Sequence, residues 1–261
     1  MTVAVTRWIG RSTLPILAVL AVACADPVAM EDDEDDVVDQ APIELTEEQR
    51  VGYEEDAVNL AIRHLQEIDA PELDDVYPPS ELVASLFDAL VHVHLAEHPV
   101  RDTVIDVYRI TNVSGHATRT IMVRVDPDHE WTRAWRQEET LTGYPEVDAL
   151  MITHDLFLSR FHEWSFGDVA ILRANRPLNT AALAALFEPI PGVIYAEREA
   201  GGWPNDLRAH PLGDGWQLDY RVGFGDCPSG CVHRHIWSFS VSEDGTVAFL
   251  GRSGPPPPVP P

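Results

Sequence analysis

Apolar residues follow three regimes along this chain: an unbroken run near the start, helical spacing to about residue 100, and mixed helical and alternating segments beyond. Leu14 to Ala23 forms the unbroken run. Thr46-Glu47-Glu48-Gln49 then reads as a capping box that opens a helix, with Val58, Ala61, Leu65 and Ile68 at helical spacing and Pro71 ending it. Pro78-Pro79 precede a second helix, with Ser80 as cap. Leu82, Val83, Leu86, Phe87, Leu90 and Val91 form its apolar face, and Pro99 stops it. Together these predict a helical hairpin.

Two strand-like runs follow, Thr103–Ile110 and Ile121–Val125, with a turn at Asn112, Ser114 and Gly115. Trp131 and Trp135 sit four apart in a short helical stretch and read as a staple over a core rather than a sugar platform. Pro145 opens a helix carrying Val147, Leu150 and Met151. A short strand fits near Leu156–Phe161, and Phe166–Ala174 reads as a buried strand. Asn179 or Thr180 caps a helix with Leu183, Leu186 and Phe187. Pro191-Gly192 breaks it, and Val193–Glu197 returns as a strand. Farther on, Trp216, Leu218, Tyr220 and Val222 alternate with polar residues after Asp214-Gly215, and Val232–Ser242 and Thr246–Gly251 flank Asp244-Gly245. This predicts a three-stranded meander. A proline tail, residues 255–261, reads as a solvated polyproline II end.

The expected fold class is α+β. An N-terminal helical hairpin plus strand (45–118) is followed by a ferredoxin-like split βαβ unit (119–200) and a C-terminal three-stranded antiparallel meander (201–254).

Charge narrows the function. All 18 basic residues are arginine, against 43 acids, for a formal net charge of −25. Such a chain is repelled by nucleic acid and by anionic headgroups, which argues against nucleic-acid binding and leaves a lipid anchor as the route to a membrane. Arg7 and Arg11 before the apolar run make residues 1–23 a secretory signal, and the run itself is too short to span a bilayer comfortably. Leu20-Ala21-Val22-Ala23-Cys24 resembles a bacterial lipobox, which implies lipidation of Cys24, while Ala21-Val22-Ala23 also fits ordinary cleavage into the periplasm or medium. Residues 24–44, dense in Asp and Glu, read as an extended acidic tether.

Export in turn favours a disulfide between Cys227 and Cys231 across Pro-Ser-Gly. The alternative is a metal site joining Cys227 and Cys231 to His233 and His235. His94-Leu95-Ala96-Glu97-His98 resembles the inverted zinc-peptidase pattern, which implies zinc held by His94 and His98 with Glu97 activating water. No lysine-bearing phosphate loop or Gly-x-Ser-x-Gly turn is present, and no cofactor is called for.

Leu183-Ala184-Ala185-Leu186 followed by Pro191-Gly192-Val193-Ile194-Tyr195-Ala196-Glu197 resembles the propeptide domains of subtilisin-like proteases. Arg198-Glu199 departs from that family's proline and asparagine, and no protease domain follows. The resemblance therefore implies an inhibitor-like or protein-contacting module, with Tyr195 and Glu197 on the strand that pairs with a partner. Gly225-Asp226-Cys227-Pro228-Ser229-Gly230-Cys231, with His235 and Trp237, is similar to a motif of uncharacterised secreted bacterial proteins. The reading is an exported, lipid-anchored envelope protein of non-enzymatic, protein-binding or inhibitor-like role. Its partner would be another envelope or secreted protein. The alternative is a zinc-dependent hydrolase.

Overall fold

Local signals start the first helix. In a computed structural model describing residues 44–110, 118–165, 167–198, 205–227 and 231–259, the Thr46 hydroxyl accepts from the Gln49 amide at 3.2 Å, and the Gln49 side chain accepts from the Thr46 amide at 2.9 Å. Two orphan donors are thereby satisfied, and α1 runs Glu47–Glu67. The signal segment, Cys24, the acidic tether and the turn around Gly115 lie outside the described residues.

α1 is buried over an unbroken stretch, Asp56 to Ile62. An amphipathic surface helix buries one stripe, so α1 is a central helix with neighbours on most sides. A short 3-10 turn at Pro71–Asp74 leads to α2, Ser80–Leu95, which packs against α1. Ser80 falls inside α2, whose N-cap is Pro79, and α2 ends four residues before Pro99.

Pro99 does not stop a helix; it restarts one. With no amide hydrogen to lose at the first helical position, it opens α3, Pro99–Asp102, behind His98, whose Nδ1 accepts from the Val100 amide at 3.1 Å. The expected strand at Thr103–Ile110 is instead a π-helical turn, Thr103–Val107, continuous with α3. Val104 and Ile105 reach the core from it, and Ile110 from just beyond it, while Val107 faces solvent, so burial outweighs the β-branched preference of the run.

The next described elements build one layered unit. Four strands, β1 (Thr120–Val125), β2 (Leu156–His162), β3 (Asp168–Ala174) and β4 (Val193–Arg198), lie in the order β2-β3-β1-β4, every neighbour antiparallel. Helices α4 (Thr132–Arg136) and α5 (Pro145–Thr153) connect β1 to β2, and α6 (Thr180–Phe187) connects β3 to β4. Trp135, Val147, Met151, Leu183 and Phe187 bury Ile121, Val123, Leu172 and Ala196 in one core. Trp131 and Trp135 meet edge to face at 5.0 Å inside that core.

The C-terminal sheet has four strands where the alternation predicts three: β5 (Asn205–Leu212), β6 (Gly215–Phe224), β7 (His233–Val241) and β8 (Val247–Ser253), each pairing antiparallel with the next. β5 lies at an edge, where Pro211 is tolerated. Leu207, Leu218, Tyr220, Trp237 and Phe239 share a second core with Tyr53, Leu60, Leu86 and Leu90 from α1 and α2. Among the described residues no helix is long and apolar enough to cross a membrane.

Candidate functional site

The residues singled out from sequence fall in four places. Cys227 and Cys231 form a disulfide, which consumes both thiols. His235, buried, turns its Nδ1 to the carbonyl of Pro255 at 2.9 Å, and the His233 ring lies 5.4 Å from Phe224. The four do not make a ligand set: among the described residues no group of three or more His, Cys, Asp or Glu is placed to hold a metal ion.

His94 and His98 are separated by the end of α2. The zinc pattern needs both on one helical turn, but α2 stops at Leu95 and His98 caps α3. His94 is 1% exposed and points into the core, with its Nδ1 2.8 Å from the Tyr53 hydroxyl. His98 spends its Nδ1 on the Val100 amide and sets its ring against Phe239 and Phe249.

Tyr195 and Glu197 lie on β4, an edge strand that among the described residues pairs with β1 alone. The helices cover the face that carries Ile121, Val123 and Ala196. Register puts Met122, Arg124, Ile171, Arg173, Tyr195 and Glu197 on the opposite face, along with Phe157 and Arg160 from β2. Phe157, Arg160, Arg173 and Glu197 are exposed, and Arg124 lies over the Tyr195 ring at 5.6 Å. Ile194, at the register shift opposite Arg124 and Val125, is 51% exposed. This face thus gathers three arginines and several apolar groups in a chain of net charge −25.

Sequence reasoning did not find the polar network beneath α1. Tyr53 holds His94, and Arg101 donates through Nε to the His94 carbonyl at 2.7 Å and through Nη1 to Asp106 at 2.6 Å and Asp102 at 2.9 Å. A cavity of about 600 Å³ opens beside it, lined by Glu48, Gln49, Gly52, Tyr53, Glu55, Ile105, Asp106 and Arg109. Burial first, then the Asp56 charge, pushes the Tyr53 hydroxyl well above the usual tyrosine range. Burial first, then the Arg101 charge, pulls His94 below the usual imidazole range. Both shifts favour the uncharged forms, a protonated phenol facing a neutral imidazole. The network joins α1 to α2 and α3. The only sequence signal for it is a tyrosine and a histidine on the apolar sides of two helices.

A second polar cluster lies on the outer face of the C-terminal sheet. Asp219 accepts from Gln217 at 2.9 Å, Ser238 at 2.7 Å and Arg221 at 3.1 Å, and His210 approaches to 3.7 Å. These donors hold its carboxyl below the ordinary range, although burial pushes the other way as the largest single influence. Ser, Asp and His are all present, but the hydroxyl donates directly to the carboxylate, so no imidazole is placed to take its proton. No protein-family model, curated protein or solved structure matches the chain.

Proposed function

We propose that the chain is an exported, lipid-anchored envelope protein that binds another protein through the open face and β4 edge of its first sheet. The observation carrying this reading is the face that no described helix covers: helices occupy one side of the β2-β3-β1-β4 sheet, and the other carries Arg124, Arg160, Arg173, Tyr195 and exposed Ile194 beside an edge with no second strand among the described residues. An unpaired edge offers main-chain donors and acceptors to a partner strand, and alternate side chains supply specificity.

The strand order, with helices crossing between β1 and β2 and between β3 and β4, supports the ferredoxin-like split βαβ architecture and with it the propeptide resemblance. The consecutive strands β5 to β8 support a meander, widened by one strand. The lipobox-like residues before Cys24 support the anchor.

The test is inhibition of a subtilisin-like protease by the full chain, followed with a chromogenic peptide. We expect inhibition at micromolar concentration or below, weakened about ten-fold, or ~1.4 kcal/mol, by Ile194→Asp with an unchanged melting temperature. No inhibition at tens of micromolar removes the inhibitor role. Equal potency of parent and variant removes the β4 edge as its carrier.

A further inference from the structure

Two carbonyls in the described part of the proline tail, those of Pro255 and Pro258, meet protein side chains. β8 ends at Ser253, and Gly254 turns the chain at φ +86°, where an added Cβ would collide with the Arg234 carbonyl oxygen. Glycine alone brings the chain back so closely across β7. Four prolines follow, and two side chains hold them. The Tyr108 hydroxyl donates to the Pro258 carbonyl at 3.2 Å. His235 Nδ1 lies 2.9 Å from the Pro255 carbonyl and 3.3 Å from that of Gly254. A carbonyl only accepts, so His235 carries its proton on Nδ1.

The spacing of these two bonds is informative. A run of prolines adopts polyproline II, which completes a turn in three residues and rises about 3.1 Å per residue. The carbonyls of Pro255 and Pro258 therefore share one side of the helix, about 9 Å apart. Trp237 connects the two donors, its ring 4.3 Å from His235 and 5.2 Å from Tyr108. Aromatic rings in a row, bearing donors one polyproline turn apart, are the chemistry by which proline-rich segments are bound. A tail that was only solvated would present its carbonyls to water rather than to protein donors in register.

We propose that Tyr108, His235 and Trp237 form a receptor for polyproline II segments, and that Pro255–Pro258 is its resident occupant, a competitor in cis that a proline-rich segment of another chain displaces. The tether between tail and receptor is very short, so the tail competes at an effective concentration in the millimolar range, and the receptor is closed unless the external segment is abundant or multivalent. His235 and Trp237 belong to β7 of the C-terminal sheet and Tyr108 follows the π-helical turn, so this surface does not depend on the reading given for the first sheet.

Two measurements on the full chain test it. A synthetic peptide spanning residues 254–259, blocked at both ends, is titrated into the parent protein and into the Pro255→Gly, Pro258→Gly variant, whose tail no longer holds the polyproline conformation. The variant should bind the peptide about ten-fold or more tightly than the parent, because the cis competitor is gone. Adding Tyr108→Phe should take that gain away with circular dichroism unchanged. Equal affinity of parent and tail variant, or a Tyr108→Phe change without effect, overturns the proposal. Should the tail variant not fold, the parent alone decides. Val259 carries the one backbone amide within residues 255–261. Its nitrogen-15 order parameter should exceed about 0.6 in the parent and fall below that in Tyr108→Phe. A value below 0.6 in the parent overturns the proposal.

Discussion

His94 is the residue whose chemistry departs furthest from its appearance in the sequence. Its neighbours His92 and His98 reach the surface or a helix cap, whereas His94 is closed in the core on the Tyr53 hydroxyl. Burial and Arg101 both disfavour its charged form, so the folded protein keeps it neutral. The unfolded chain takes a proton below about pH 6.5. Stability carried by the neutral ring is therefore present above that pH and lost as pH falls toward the lower folded value. His154, lowered by burial and by Arg176, adds in the same direction. The urea midpoint should fall between about pH 7.5 and 5.5, and fall less in His94→Gln. A midpoint equal at both pH values would show that these rings titrate alike folded and unfolded. Tyr53→Phe should cost about 1–3 kcal/mol at neutral pH, measured by the same unfolding, because it leaves the His94 Nδ1 buried without its hydrogen-bond partner.

Helix ends show which parts of the fold are local. The Thr46 box operates over three residues and is exposed, so Thr46→Ala should cost about 1 kcal/mol. Asn179 caps α6 by accepting from the amides of Ala181 and Ala182, but it is buried, and its amide group also donates to the Leu73 carbonyl at 2.7 Å. Asn179→Ala should therefore cost roughly 2–3 kcal/mol, since it removes a cap and also the side-chain bond to the Leu73 carbonyl. Unfolding curves showing equal cost at the two sites would mean that the Asn179 tie to the 3-10 turn carries nothing. Both caps are legible in sequence; the tie across 106 residues is not. The same contrast explains the segment after Pro99. Its Thr, Val and Ile content reads as a strand, yet among the described residues it pairs with none, and Val104 and Ile105 find burial in a helical turn. A weak β preference yields to that burial.

Over the whole molecule, the two cores of the described residues and a large negative charge set the behaviour. α1 contributes the helical side of the core beneath the C-terminal sheet, and its Glu55 pairs with Arg119 at the start of the first sheet unit. With 43 acids against 18 arginines, the folded chain repels itself, and salt should screen that repulsion. The melting temperature should rise by several degrees between about 10 mM and 0.5 M sodium chloride. A fall would mean that ion pairs such as Arg63 with Asp206 and Arg136 with Asp168 outweigh the net repulsion. The arginines on the open face of the first sheet gain meaning only at this scale. Along the chain Arg124, Arg160 and Arg173 are dispersed, and the register of β1, β2 and β3 gathers them.

What this sequence determines alone is whatever acts within a few residues or by a regular period. That covers the capping box, the helices opened by prolines, the alternation of β6 and β7, and the short disulfide loop. Each depends on backbone geometry and hydrogen bonds between near neighbours. Only the tertiary structure decides which face of a sheet stays open, that His94 and His98 part company, and that Tyr53 meets His94 across 41 residues and Tyr108 meets Pro258 across 150. Those outcomes depend on burial, a property of the assembled chain that no local stretch of residues contains.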